Sequence, residues 1–418
     1  MQTHKDTPNQ KGGKRSPLAI IFITIFIDLV GFGIVIPVLP LYAKEFQASE
    51  TVIGVLLGVF SAMQFIFAPI LGKLSDRAGR RPVLLFSLIG TAIGFLIMGL
   101  ANTLWLLFLG RIIDGITGGN ISTAQAYIAD ITPPDERSKG MGLIGAAFGL
   151  GFIVGPAIGG VMSQIAPAAP FYFAAALAAA NATALYFLLP ESLSRESRGR
   201  AQIRPSILRM ISETGGWQLR AVVATYFFAT VAFAMLTATF ALFTNHKFGF
   251  DATHNGYLFA YLGLLGAIIQ GGLIGRLVKT FGDKTLAVAG IALLAAAMFL
   301  MPQSETLTTL MLVNTAIAIG NSLATPTLNG IASKSVDTAH QGIVLGVMAS
   351  SASLARIIGP VLGGFLLSRD PDPIYGRTPY WTGAAIMIVA LAVSATLSAP
   401  AEIVETGAVI EERGGEGT

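Results

Sequence analysis

Cysteine is absent from the 418-residue chain, which excludes a disulfide framework, a thiolate metal site and a cysteine nucleophile. Charge is also scarce: 12% of residues are Asp, Glu, Lys or Arg, against roughly 25% in an ordinary soluble domain. With 53% hydrophobic residues, such a chain cannot clothe itself in a water-facing surface. Only four histidines occur, His4, His246, His254 and His340. They fall in the tail or in loops, without metal-ligand spacing, so neither a metal nor a cofactor is implied. The net charge of +4 is scattered, with no aromatic-interleaved basic patch of the kind that binds nucleic acid. No Gly-Lys-Ser/Thr phosphate loop and no convergent nucleophile and base are present, which argues against an enzyme.

What the chain has instead is apolar runs of about 20 residues, the length that crosses a hydrocarbon core at about 1.5 Å per residue. Six lie near 18–40, 52–72, 83–101, 104–128, 140–164 and 170–190, and six more near 219–243, 254–278, 284–301, 307–332, 341–367 and 380–399. Between the sets, 191–218 is polar and carries Arg195, Arg198, Arg200, Arg204 and Arg209. The expected fold is an all-α membrane protein with twelve transmembrane helices in two pseudo-symmetric six-helix bundles. Its divisions are a tail (1–17), a first bundle (18–190), a linker (191–218), a second bundle (219–399) and a second tail (400–418). Lys5, Lys11, Lys14 and Arg15 precede span 1, and no small-residue cleavage site follows it, so the first span is expected to be retained.

Basic residues near span ends set orientation. With both termini in the cytoplasm, 21 of the 27 Lys and Arg fall inside and four outside, leaving Arg111 and Arg356 within spans. One missed span would mix the two sets, so the count and the orientation support each other. A shift of 204 lays Gly155-Pro156 on Gly359-Pro360 and Gly159-Gly160 on Gly363-Gly364. A shift of 203 lays Gly79 on Gly282. Parallel repeats of this kind imply a binding site near the midplane and halves that rock about it.

A charge at the bilayer centre costs about 2.5–3.5 kcal/mol on insertion scales, and four such residues are present: Asp28, Arg111, Asp114 and Arg356. Arg111 and Asp114, three apart, share a helix face, where they can pair. Asp28 has no charged neighbour within a turn, which suits a carboxylate that binds and releases a proton. Arg356 either binds an anionic group or neutralises a helix end. Between spans 2 and 3 the short loop Gly72-Lys-Leu-Ser-Asp76-Arg77-Ala-Gly79-Arg80-Arg81 sets one acid among basic residues, a clasp able to break and re-form as a gate. Gly151, Gly155, Pro156 and Gly159 in span 5 permit close helix approach and a bend. Gln64, Asn120, Gln125, Tyr127, Gln270, Asn314, Asn321 and Asn329 are polar groups inside spans, candidates with Arg356 to line a substrate cavity or to hydrogen-bond between helices.

At these positions the chain resembles the twelve-span drug:proton antiporters of the major facilitator superfamily, and within them the bacterial tetracycline efflux proteins. Gly72 to Arg81 resembles the superfamily's loop 2-3 motif, and Gly110-Arg111 to Gly118 the antiporters' span 4 motif. Gly145 to Gly160 resembles the exporters' span 5 signature. Asp28 to Pro40 and Met63 to Pro69 resemble spans 1 and 2 of the tetracycline group. The resemblance implies a monomer in a bacterial inner membrane, surrounded by lipid, exchanging protons for a small-molecule substrate. It gives Asp28 and Arg111 to coupling and Asp76 with Arg77 to the cytoplasmic gate, and Asp114, an extra acid in span 4 outside that pattern, joins the coupling set as a candidate. Tetracycline pumps are expected to carry further acids in spans 3 and 9, where this chain has none. Export of a native metabolite or lipid-like molecule is the alternative. A non-transporting receptor would leave the intramembrane charges without a use.

Overall fold

The computed structural model describes residues 17–133, 136–194, 216–336, 340–371 and 373–397. Most of the linker and both tails lie outside them, including Lys5, Lys11, Lys14, Arg15 and the five linker arginines. Among the described residues the regular structure is helical. The first half comprises α1 (Pro17–Glu45), α2 (Glu50–Ala78), α3 (Arg80–Gly99), α4 (Leu104–Thr117), α5 (Asn120–Ile131), α6 (Arg137–Ser163) and α7 (Ala169–Leu188). The second comprises α8 (Trp217–Phe248), α9 (Ala252–Ile268), α10 (Ile274–Phe281), α11 (Asp283–Leu300), α12 (Leu307–Lys334), α13 (Gln341–Leu367) and α14 (Arg377–Ala395). Lipid offers the backbone no hydrogen bonds, so each crossing must satisfy its own as a helix. Eleven stretches are long and apolar enough to cross a membrane unbroken.

The twelfth crossing departs from expectation. Span 4 is not one helix over 104–128 but α4 followed by α5, parted at Gly118-Gly119. The Thr117 hydroxyl bonds back to the Ile113 carbonyl at 2.9 Å, and the Gly119 amide closes on Thr117. At Gly119 a Cβ would stand 2.6 Å from Leu71 of α2, so glycine lets the break lie close against that helix. Span 8 also holds a surprise, a π-helical turn at Ile269–Leu273 joining α9 to α10.

Outside, the molecule presents Ile66, Ile70, Phe86, Ile93, Leu312 and Ile388 as exposed apolar side chains, a surface suited to lipid rather than water. All three tryptophans, Trp105, Trp217 and Trp381, are exposed and lie within the first five residues of a helix, where the membrane interface favours them. His246 and His254 sit in the terminal turns of α8 and α9 rather than in loops.

Within the first half α1 packs on α6, α2 on α4, and α3 on α4 and α7. Within the second, α8 packs on α13 and α14, and α11 on α12 and α14. The halves meet chiefly through α2 on α13 and α6 on α9. The two meetings are related by the repeat. Gly155 packs on Val30 and Gly33 of α1, as Gly359 packs on Val231 and Ala234 of α8. Gly160 faces Ala252 and Thr253 of α9, as Gly364 faces Glu50 of α2. The Pro156 carbonyl lies against Gly256, and that of Pro360 against Gly54. A Cβ at Gly54 or Gly256 would collide with backbone, so only glycine permits this approach. Helix α6 runs unbroken through Pro156.

All of these inter-half contacts sit at the end of the bundle holding the 46–49, 164–168, 249–251 and 368–376 connections. Thr51 Oγ1 meets Ser368 Oγ at 2.8 Å, the Tyr375 hydroxyl donates to Glu50 at 3.3 Å, and the Thr253 hydroxyl to the Gly160 carbonyl at 2.9 Å. At the opposite end, Gly72, Gly142, Gly145 and Gly149 of the first half and Gly271, Gly272, Gly275, Gly342 and Gly346 of the second have open space where a side chain would stand. The bundle is sealed at one end and parted at the other.

Candidate functional site

The discontinuity in span 4 places the charges. Arg111 and Asp114 lie in α4 just before the break, and Asn120 begins α5 just after it. Arg111 and Asp114 are 2% and 5% exposed, so neither charge is solvated by bulk water. Arg111 Nη1 stands 3.4 Å from Asp114 Oδ2, and its guanidinium lies over the Phe60 ring of α2 at 4.2 Å. The Arg111 Nε has no partner. Asp114 also has the Thr91 hydroxyl of α3 as a hydrogen-bond partner. Asp28 of α1 is half-buried and has the Asn120 side chain as its partner, with Asp114 near enough to act on its charge. Two acids and one guanidinium therefore meet across spans 1 and 4. Phe60 lies 5.8 Å from Phe32, which lies 6.0 Å from Phe152 of α6, an aromatic wall running from Arg111 toward the interface between halves.

Other polar candidates divide. Gln64 donates to the Gly118 carbonyl at 3.0 Å and so braces the break. Gln125, Gln270 and Arg356 are exposed, and Asn321 and Asn329 half-buried. Asn329 Nδ2 bonds to Thr325 of its own helix, and Asn321 accepts from Thr325. Gln270 projects from the π-turn with Nε2 3.5 Å from Ser322 of α12. Tyr127 and Asn314 do not line open space: both are 0% exposed. The Tyr127 hydroxyl donates to the Pro190 carbonyl at 2.9 Å, and the Asn314 amide is buried without a partner. The sequence leaves both open as cavity linings or as hydrogen-bonding groups between helices, because a span's sequence does not say which face meets a neighbour.

The segment expected as a loop over 72–81 is helical except at Gly79, which turns the chain at φ 110°, as its repeat Gly282 does at φ 76°. Arg80, only 8% exposed, is the hub. Its Nη1 reaches Asp76 at 2.5 Å and Ser75 at 2.7 Å, and its Nε reaches Asp130 of α5 at 3.1 Å. Glu191 accepts from the Arg80 and Arg81 amides at 2.9 and 3.2 Å, capping α3, whose N-terminus attracts an anion. Arg81 also donates to the Tyr186 carbonyl, while Arg77 and Lys73 are exposed and Gly72 borders open space. Sequence reasoning missed Asp130 and Glu191, since acids at span ends are ordinary in any membrane protein. The repeat offered a signal: shifting Arg80 by 203 and Asp130 by 204 gives Asp283 and Lys334, which form a bridge of reversed polarity at 2.5 Å.

An apolar groove of about 760 Å³ between α3 and α7 opens on the outer surface, away from these charges. The charged trio lies instead inside the first half, with every partner on first-half helices, and two related six-helix halves are the architecture of a secondary transporter.

The chain belongs to the Major Facilitator Superfamily, whose family model matches residues 21–277 and 222–413. It is 35% identical to the class D tetracycline resistance protein of Salmonella ordonez over 93% of this chain and 99% of that one. It is 30% identical to multidrug resistance protein 1 of Bacillus subtilis (strain 168) over 93% and 98%. A bacterial homolog of the human lysosomal transporter Spinster has the same fold, with a TM-score of 0.76 at 17% identity over 90% of this chain and 95% of that one. The protein is a multi-pass membrane transporter, not an enzyme.

Proposed function

We propose that the chain is a proton-coupled antiporter that exports small amphipathic drugs, tetracycline-like ones among them, by alternating access. The observation that carries this reading is the trio Asp28, Asp114 and Arg111 around the break in span 4. With both acids ionised the trio has a net charge of −1, and with one proton it is neutral. A site that changes by one charge in a low-dielectric setting can couple a proton to a change of conformation. The tetracycline and multidrug resistance relatives support a drug as cargo.

In this reading the parted end faces the cytoplasm, because the basic residues gather there, and both termini lie on that side. Arg77 and Lys73, exposed on the edge of the opening, and the Asp76–Arg80 clasp form the gate that meets the second half when that end closes. Gly151, Gly155, Pro156 and Gly159 keep the periplasmic end tight between export strokes. Export of a native metabolite or lipid-like molecule by the same machinery is favoured by one feature, the lack of acids in spans 3 and 9.

The test uses everted vesicles loaded with a lumen pH indicator, to which tetracycline and a drug panel are added. Wild-type vesicles are expected to release lumenal protons on drug addition, and Asp28→Asn vesicles are not. If no drug moves protons through the wild type, proton-coupled drug export is wrong for this chain.

A further inference from the structure

Arg356 is the one charged residue in the middle of a second-half span; Arg220, Arg276 and Lys284 stand at span ends. It lies in mid-helix on α13, about three turns from the helix C-terminus, too far to serve that helix's own dipole. Its side chain is exposed, with Nη2 3.3 Å from Ser353 Oγ. Among the described residues no carboxylate stands within ion-pairing distance of it.

The register of α13 says where it points. Gly359 and Gly363 pack on Val231, Ala234 and Met235 of α8, while Ile357, Pro360, Val361 and Gly364 pack on Gly58, Gly54 and Glu50 of α2. At about 100° per residue, Arg356 falls between those two faces. It is therefore aimed into the wedge between α2 and α8, where the halves meet and the parted end opens, and not toward lipid. Tyr226 of α8 is near enough to act on its charge. The repeat sharpens the point, because a shift of 204 carries Arg356 onto Phe152, the end of the aromatic wall Phe60–Phe32–Phe152. At equivalent positions, one half offers an aromatic face and the other a guanidinium.

We propose that Arg356 is the anion subsite of the central space, and that the transported molecule is an aromatic amphiphile carrying a carboxylate or comparable delocalised negative charge. Its ring body lies on Phe152 and Phe32, and its anion accepts hydrogen bonds from the guanidinium, whose planar fork of donors matches a carboxylate. Water hydrates Arg356 while the end is parted. Closure expels that water, and the guanidinium then needs the counter-charge that the bound molecule brings. This rests on the transport reading, but it concerns which molecule is bound and not what drives it.

Two dyes that share a xanthene ring separate charge from shape: anionic fluorescein and cationic tetramethylrhodamine ethyl ester. Equilibrium binding of each to purified wild type, Arg356→Gln and Arg356→Lys in detergent gives an anion-over-cation preference for each protein. The wild type is expected to prefer the anion. Arg356→Gln lowers that preference roughly tenfold to hundredfold, the size of a hydrogen bond to a charged group, and Arg356→Lys restores part of it. A wild type without the preference, or one that does not bind fluorescein, overturns the proposal whatever the variants do. So does a preference unchanged in a folded Arg356→Gln. Because binding requires no proton gradient, a positive result beside failed vesicle exchange would sink proton coupling and leave the anion subsite standing.

Discussion

The four charges within spans have unequal surroundings, and the differences dictate their tests. Arg111 is tied to Asp114 and to the Phe60 face, so replacing it with lysine keeps the charge but loses the planar stacking. Arg111→Lys is expected to slow proton-coupled exchange roughly tenfold in vesicles, about the 1–2 kcal/mol of a cation–π contact out of water, while drug binding persists. Asp28→Asn should abolish drug-driven proton movement and leave drug-protein binding measurable, since Asn120 can hydrogen-bond an amide as it does the acid. These residues were legible because a charge within an apolar run stands out. Asp130 and Glu191 were not, because their meaning comes from a distant partner, Arg80, that only folding supplies. For Asn314 and Tyr127 the converse holds: their polarity is visible in the sequence, but the face that folding buries is not.

At the level of helices, the glycine contacts make the sealed end sensitive to one side chain. Gly54→Leu or Gly256→Leu must push α2 from α13 or α9 from α6, overpacking that costs about 1–3 kcal/mol. The variants are expected to shift the population toward opening at that end by roughly 5- to 150-fold, read by labelling a single cysteine introduced at Thr51. The chain's lack of cysteine removes background from that measurement. The reversed bridges Arg80–Asp130 and Asp283–Lys334 tie the start of span 3 to the end of span 4, and of span 9 to the end of span 10. Lys334 is half exposed, so Lys334→Asp should lower stability by roughly 1 kcal/mol or less. Adding Asp283→Lys should recover most of the loss in a thermal melt, as a direct pair requires. The break at Gly118-Gly119 went unforeseen in the apolar run, because hydropathy counts glycine as compatible with a span and does not register a lost turn.

For the whole molecule, the related contacts at one end and the parted glycines at the other define a rocking motion of two bodies. Spin labels at Gly72 and Gly275, equivalent under the 203 shift, are expected to approach when the parted end closes, while labels at Thr51 and Ser368 separate. Distances that move together in the same sense would contradict alternating access. Residence in a bilayer, the number of crossings and the twofold repeat all followed from the sequence, because apolar length and recurrence are properties of a one-dimensional string. Tertiary structure alone decided which end is sealed, where span 4 breaks, which helices the glycines meet and that Arg356 points between α2 and α8 rather than at lipid. The reason is physical: lipid tails and helix interfaces are equally apolar, so hydropathy along a span cannot tell a face that packs from a face that meets the membrane.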